Sequence, residues 1–241
     1  MRYRVTAAGR THPGRVRAIN EDTHHIGERV LVVADGVGGE AGGEIASQTV
    51  ASIIANVATS GPTEDVYQSL TDAVARGSHA IARQVQEEPG LAGMSTTITV
   101  MLGGDRRIVF AQVGDSRAYY LRAKKPETLH QVTRDDSFVQ ELVDAGVINR
   151  EQAQHHPQRN LILKAVGDHI VAPSFASYAP VVGDRYLLCS DGLTDYVAES
   201  DIHAVVVAEH RDVAADRLID LALRAGAPDN VTVIVADLTT P

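Results

Sequence analysis

Residues 31–44 read LVVADGVGGEAGGE. Apolar residues run without a break into Asp35, and five of the next eight positions are glycine. The run Val30–Ala34 predicts a buried strand. A surface turn accounts for one or two glycines, but not for a carboxylate placed where the strand leaves the core. The same design recurs. Asp191 follows the apolar run YLLCS and precedes Gly192; Asp229, between Pro228 and Asn230, precedes an apolar run that starts at Val231; Asp115 sits in VGDSR at the end of another. Neighbouring strands would gather these four acids at one rim of a sheet, where they repel one another unless protons or cations intervene. Hard cations with oxygen ligands, Mg2+ or Mn2+, are the natural partners. Asp-Gly is also a common turn dipeptide, so spacing alone leaves the turn reading open.

Outward from that strand the periodicity changes. Residues 43–59 place Ala46, Val50, Ile53, Ile54 and Val57 at helical spacing, with Ser-Gly-Pro at 60–62 as the stop. Residues 64–86 predict a second helix with Val66, Leu70, Ala73, Val74, Ile81 and Val85 inward. Strands follow over 97–102, Ile108–Val113 and 118–121; GGDRR parts the first two and a tight GDS turn the last two, which predicts an antiparallel meander. Between 135 and 165 the chain becomes polar and helical, with Phe138, Val139, Leu142 and Val143 as one short apolar face, and reads as an inserted excursion. A strand at 186–189, helices at 199–209 and 213–225, and an almost wholly apolar strand at 231–238 complete the pattern. Strands, paired helices, strands and paired helices predict α+β layers rather than alternating βαβ units.

At 241 residues, 44% hydrophobic and 22% charged, the chain has the composition of one globular domain spanning 1–241. Aromatics are only 4%, with no Trp, so Val, Ile, Leu and Ala must build the core. A net charge of −9 argues against a nucleic-acid surface. It either serves solubility or sets carboxylates before bound cations. The single cysteine, Cys189, excludes an internal disulfide and fits a reducing compartment; inside YLLCS it reads as a buried, inert thiol. No apolar stretch approaches the ~20 residues of a membrane helix, and the first residues lack a signal-peptide core. The expectation is a cytoplasmic protein with no membrane segment.

Six stretches occur together: GRVRAINED at 14–22, VADGVGG at 33–39, GMSTT at 93–97, VGDSR at 113–117, CSDGL at 189–193 and PDNVTV at 228–233. In these motifs and their order, over nearly its whole length, the chain resembles the metal-dependent protein Ser/Thr phosphatases of the PPM (type 2C) family, especially its compact bacterial branch. The resemblance implies a four-layer αββα fold: an antiparallel β-sandwich with a pair of helices on each outer face, and a flap at about 135–165. It implies hydrolysis of phosphoserine and phosphothreonine in proteins by a water activated between two Mn2+ or Mg2+ ions. Asp35 looks like the carboxylate that bridges the ions, Asp191 and Asp229 like the first ion's other ligands, and the Gly36 carbonyl like a ligand of the second. Gly36 would let that carbonyl turn without a side chain in the way, Gly38 and Gly39 would allow close approach, and Gly42 and Gly43 would lead into the helix behind. Glu21 and Asp22 would order waters. Asp115 with Asp191 would hold a third, weaker ion. Arg17 matches the arginine that receives the phosphate, and Asn230 would fix the Asp229 loop.

The family's proposed general-acid histidine has no counterpart: Val37 stands at that position, and Glu40 where several bacterial relatives carry histidine. No general acid is assigned. The flap would influence substrate docking or be a structural insertion only. The implied partners are phosphorylated proteins, kinases among them, acted on by a monomer. Rival readings are a phosphopeptide- or metal-sensing module that does not turn over and a metal-dependent nuclease. The intact set of Asp35, Asp191 and Asp229 disfavours the first, and the acidic charge the second.

Overall fold

The computed structural model describes residues 3–38, 42–57 and 65–241. In chain order the elements begin with β1 (Arg4–His12), β2 (Thr23–Ile26), β3 (Val30–Ala34) and the short β4 (Gly36–Val37). The helices α1 (Gly42–Ala55) and α2 (Val66–Glu87) follow, then β5 (Ser95–Thr96), β6 (Ile98–Gly103), β7 (Ile108–Val113), β8 (Arg117–Arg122) and β9 (Lys125–Gln131). Two short helices, α3 (Phe138–Asp144) and α4 (Arg150–Gln154), lead to β10 (Ser174–Tyr178) and β11 (Arg185–Cys189). Beyond them lie α5 (Asp191–Thr194), α6 (Glu199–Ala208), α7 (Arg211–Arg224) and β12 (Val231–Thr239).

Two five-stranded antiparallel sheets form the centre, in the orders β1-β12-β11-β8-β9 and β10-β7-β6-β3-β2, and β4 pairs with β5 in a small ribbon. Successive strand residues point to opposite faces, so a central strand of a covered sandwich must be apolar throughout. On β12, Val231, Val233 and Val235 join the core under α6 and α7, while Ile234, Ala236 and Leu238 point between the sheets. On β3, Val30 and Val32 pack with Ala46, Val50, Leu70 and Val74 of α1 and α2, while Leu31 and Val33 meet Phe110, Tyr186 and Ile234 in the sandwich interior. Three apolar layers thus hold four layers of structure. This is the αββα architecture expected from the resemblance. Cys189 belongs to the α6–α7 layer, where burial pushes its thiol up to about 12.

The sequence reading differs from the structure in three respects. First, the meander does not exist: β6 and β7 are a hairpin in one sheet, but β8 lies in the other, paired with β9 and β11. The GDS turn therefore crosses between the sheets. Second, β1, β2, β9 and β10 were not anticipated. All four are edge strands, where one side needs no neighbour and the sequence needs no continuous apolar run. Third, α1 stops at Ala55, short of residue 59; the Ser-Gly-Pro stop and the Glu64 start lie outside the described residues. Asp65 begins α2, its side chain accepting from the N–H groups of Tyr67 and Gln68.

Candidate metal centre

Asp35 occupies the single residue between β3 and β4. Its backbone is held from the facing ribbon. Thr97 N–H and Thr96 Oγ1 both donate to its carbonyl, at 2.8 and 2.9 Å, and its own N–H donates to Thr97 Oγ1 at 3.1 Å. The bare Cα of Gly36 has a reason the sequence did not disclose: a Cβ there would collide with the Gly43 carbonyl and crowd that of Glu21. The missing side chain lets α1 close against β4. Glu21 fastens the joint, its Oε1 accepting from Gly43 N–H at 3.1 Å and its carbonyl accepting from Ser47 Oγ at 2.6 Å. Glu40 and Gly39 lie outside the described residues, and Val37 is half-exposed beside the corner.

Asp191 opens α5, where β11 leaves the core. The preceding Ser190 links two more corners, donating through Oγ to Asp22 Oδ2 at 2.8 Å and accepting from Thr232 N–H at 2.9 Å. Asp22 is 7% exposed. Asp229 precedes β12. Arg17, on an exposed loop, donates through Nη2 to Asp229 Oδ2 at 2.9 Å, so the arginine expected to receive phosphate is paired with an acid expected to bind metal. Asn230 fixes the loop that carries Arg17. Its Nδ2 donates to the carbonyls of Pro13 and Ile19, and its Oδ1 accepts from Glu21 N–H at 2.8 Å.

Asp115, on the crossing turn, is also 7% exposed. With Asp191 and Asp195 it lines one wall of a cavity of about 120 Å3, whose other wall is Val139, Arg150 and Arg159 of the 135–165 excursion. The excursion is zipped at its base: Phe138 N–H donates to the Leu161 carbonyl at 2.9 Å and Leu163 N–H to the Asp136 carbonyl at 2.7 Å. Arg159 reaches back to Asp195 at 3.7 Å.

Five acids from five chain segments thus share one field. Burial, and then repulsion from Asp22 and Asp191, hold Asp35 well above the ordinary carboxylate range. Burial and then Asp115 do the same to Asp191. Burial pushes Asp22 up to about 6, and burial followed by Asp135 and Asp195 pushes Asp115 up to about 7. Oδ1 of Asp22 and Oδ1 of Asp115 are buried without a hydrogen-bond partner. Like charges and unpartnered carboxylate oxygens in one place are what divalent cations relieve. Among the described residues no three His, Cys, Asp or Glu side chains form a ready-made cage for one ion. A loose set suits Mg2+-like ions, which keep several waters and take only one or two carboxylates. The residues fit hydrated divalent ions.

The sequence model of the family described as Protein phosphatase 2C matches residues 9–223. The chain belongs to the protein phosphatase 2C family. It is 48% identical over 231 residues to the serine/threonine protein phosphatase PstP of Mycobacterium tuberculosis, covering 96% of this chain and 44% of that protein. The chain therefore spans less than half the length of that curated relative. It is 33% identical to the serine/threonine phosphatase stp of Listeria monocytogenes, covering 95% of this chain and 94% of the other. Among solved structures, the catalytic domain of PstP in complex with two manganese ions superposes with a TM-score of 0.91 at 45% identity, covering 98% of this chain and 99% of that one.

Within this phosphatase 2C fold, sequence reasoning missed several residues around the acids. Asp195, one helical turn beyond Asp191, adds to the repulsion on both Asp115 and Asp191; its signal was the i,i+4 spacing in DGLTD. Asp135 accepts from both Arg117 Nε and Nη2, the latter at 2.6 Å, and anchors the base of the excursion. Thr96, Thr97 and Ser190 lie in the GMSTT and CSDGL stretches, but nothing in those motifs told which atoms their hydroxyls would meet, because a hydroxyl residue beside an apolar run reads as strand.

Proposed function

We propose that this chain hydrolyses phosphoserine and phosphothreonine esters in proteins and uses two Mn2+ ions, with Mg2+ as the alternative metal. The observation that carries this reading is the meeting of Asp22, Asp35, Asp115, Asp191 and Asp229 at one end of the sandwich, two with buried, unpartnered oxygens. Asp35, Asp191, Asp229 and the Gly36 carbonyl would hold the two ions, and Asp115 with Asp191 a third. Two bound ions would supply an activated water for in-line attack on phosphorus and offset charge on the phosphoryl oxygens. Arg17 orients the ester. Its exposed, permanently charged fork can take two phosphoryl oxygens once it leaves Asp229. Glu21, Asp22 and Asn230 keep the loops that carry these groups in register. Residues 135–165 act as a flap over the cleft, with Val139, Arg150 and Arg159 facing the acids.

The identity to two serine/threonine phosphatases, one of them covered almost end to end, supports a catalytic unit that acts on phosphorylated proteins; kinases would be among those substrates. A monomer in a reducing cytoplasm fits the single buried thiol. No helix among the described residues is long and apolar enough to cross a membrane. The test is phosphate release from a phosphothreonine peptide with and without Mn2+, beside Asp35→Asn. Metal-dependent release by wild type, lost in a folded Asp35→Asn, supports the reading. No release from folded, Mn2+-loaded wild type would favour a sensing module instead.

A further inference from the structure

At the end of the sandwich that carries the acids, buried polar side chains cluster among the apolar ones. There Thr97, Thr99, Gln112 and Ser116 are all buried, Thr97, Thr99 and Ser116 completely. Burying hydroxyls is unfavourable unless they are hydrogen-bonded, and each of these bonds goes to one of two acid-bearing turns. Thr97 Oγ1 accepts from Asp35 N–H at 3.1 Å and lies 2.8 Å from Ser116 Oγ. Because Thr97 Oγ1 accepts from Asp35, its single proton is free to donate to Ser116. Thr99 Oγ1 donates to the Ser116 carbonyl at 2.8 Å, and Gln112 Nε2 to the Gly114 carbonyl at 2.7 Å. The Thr97 methyl fills the space under Gly114, whose φ is +108°. Thr97 therefore touches the Asp35 corner of one sheet and the Asp115 turn that crosses to the other.

We propose, on the reading that the acids of this rim hold divalent ions, that the Thr97–Ser116 hydroxyl pair is the spacer that sets Asp35 and Asp115 relative to each other. Thr97 is a positioning residue. It contacts no ion, and acts by making the geometry at Asp35 depend on the turn that carries Asp115. Removing the hydroxyl while keeping the shape loosens both acids at once.

The test is calorimetric titration of the metal-stripped protein with Mn2+. Thr97→Val, nearly isosteric but unable to accept from Asp35 N–H or donate to Ser116, is expected to bind Mn2+ about tenfold more weakly, the low end for residues that orient metal ligands. Thr97→Ser keeps the hydroxyl and is expected to stay within about twofold of wild type, a rescue that a packing role would not give. Ser116→Ala cuts the link from the other side and stands in should Thr97→Val fail to fold. The double variant is expected to lose no more than Thr97→Val alone, because the Thr97–Ser116 bond that Ser116→Ala removes is already missing there. Wild-type affinity in Thr97→Val, equal loss in Thr97→Ser, or additive losses in the double variant would each overturn the spacer. Wild type that takes up no Mn2+ would remove the metal-centre reading and the spacer with it; uptake unchanged by Thr97→Val would remove the spacer alone.

Discussion

Arg17 shows how one side chain can hold two appointments. Its guanidinium is 52% exposed and rests on Asp229, and an exposed pair of this kind contributes little to stability. Arg17→Ala should therefore leave the melting temperature unchanged. In the proposed function the same fork meets a phosphoryl oxygen, and a charged hydrogen bond contributes about 1.5–3 kcal/mol. Steady-state kinetics on a phosphopeptide should show KM raised tenfold or more, and an unchanged KM would remove Arg17 from phosphate binding. At this scale the acids were legible in the sequence because Asp35 and Asp191 interrupt apolar runs, where a carboxylate has no packing reason to be. The groups that hold them were not. Thr97 and Ser190 are small hydroxyl residues next to strands, and their partners come from 62 and 42 positions away in Asp35 and Thr232.

Among the elements, the crossing turn between β7 and β8 is the one the apolar pattern misread. A two-strand hairpin and a sheet-to-sheet crossing both need a short polar turn, and what distinguishes them is which neighbours the strands find. Gly114 bears the cost of the crossing: its φ of +108° is unfavourable for any residue with a Cβ, and an added methyl would press on Thr97. Gly114→Ala should destabilise the fold by about 1–3 kcal/mol, the range for a strained backbone position, measured by urea denaturation; an unchanged midpoint would show that the turn relaxes freely. The central strands β3 and β7 were read to their exact ends, since burial on both faces leaves no alternative pattern. The edge strands escaped notice for the converse reason: β9, KPETLHQ, buries only Leu129, so its pairing is a matter of backbone and its side chains answer to solvent.

For the whole molecule the decisive asymmetry is that repelling carboxylates collect at one end. In metal-stripped protein, Asp22 at about 6 and Asp115 at about 7 bind protons more tightly folded than unfolded, where carboxylates titrate near 3.8. Across that window the folded state holds more protons, so stability falls as pH rises from about 4 to about 7. The stripped protein should melt at a higher temperature at pH 5.5 than at pH 8, and Mn2+ at pH 8 should restore the difference. Equal melting temperatures at both pH values would mean the acids are not crowded in solution. The four-layer plan was legible from the order of helices and strands together with the family motifs, but the allocation of strands to sheets was not, because it depends on contacts between distant segments. One such contact is the pairing of Arg4 with Thr239 along β1 and β12. Among the described strands β1 is made first and its sheet neighbour β12 twelfth, so β1 remains an open sheet edge until the ribosome has passed Thr239. Asp229, just ahead of β12, arrives equally late. In the proposed metal centre, Asp229 therefore joins Asp35 and Asp191 only once β12 has closed beside β1.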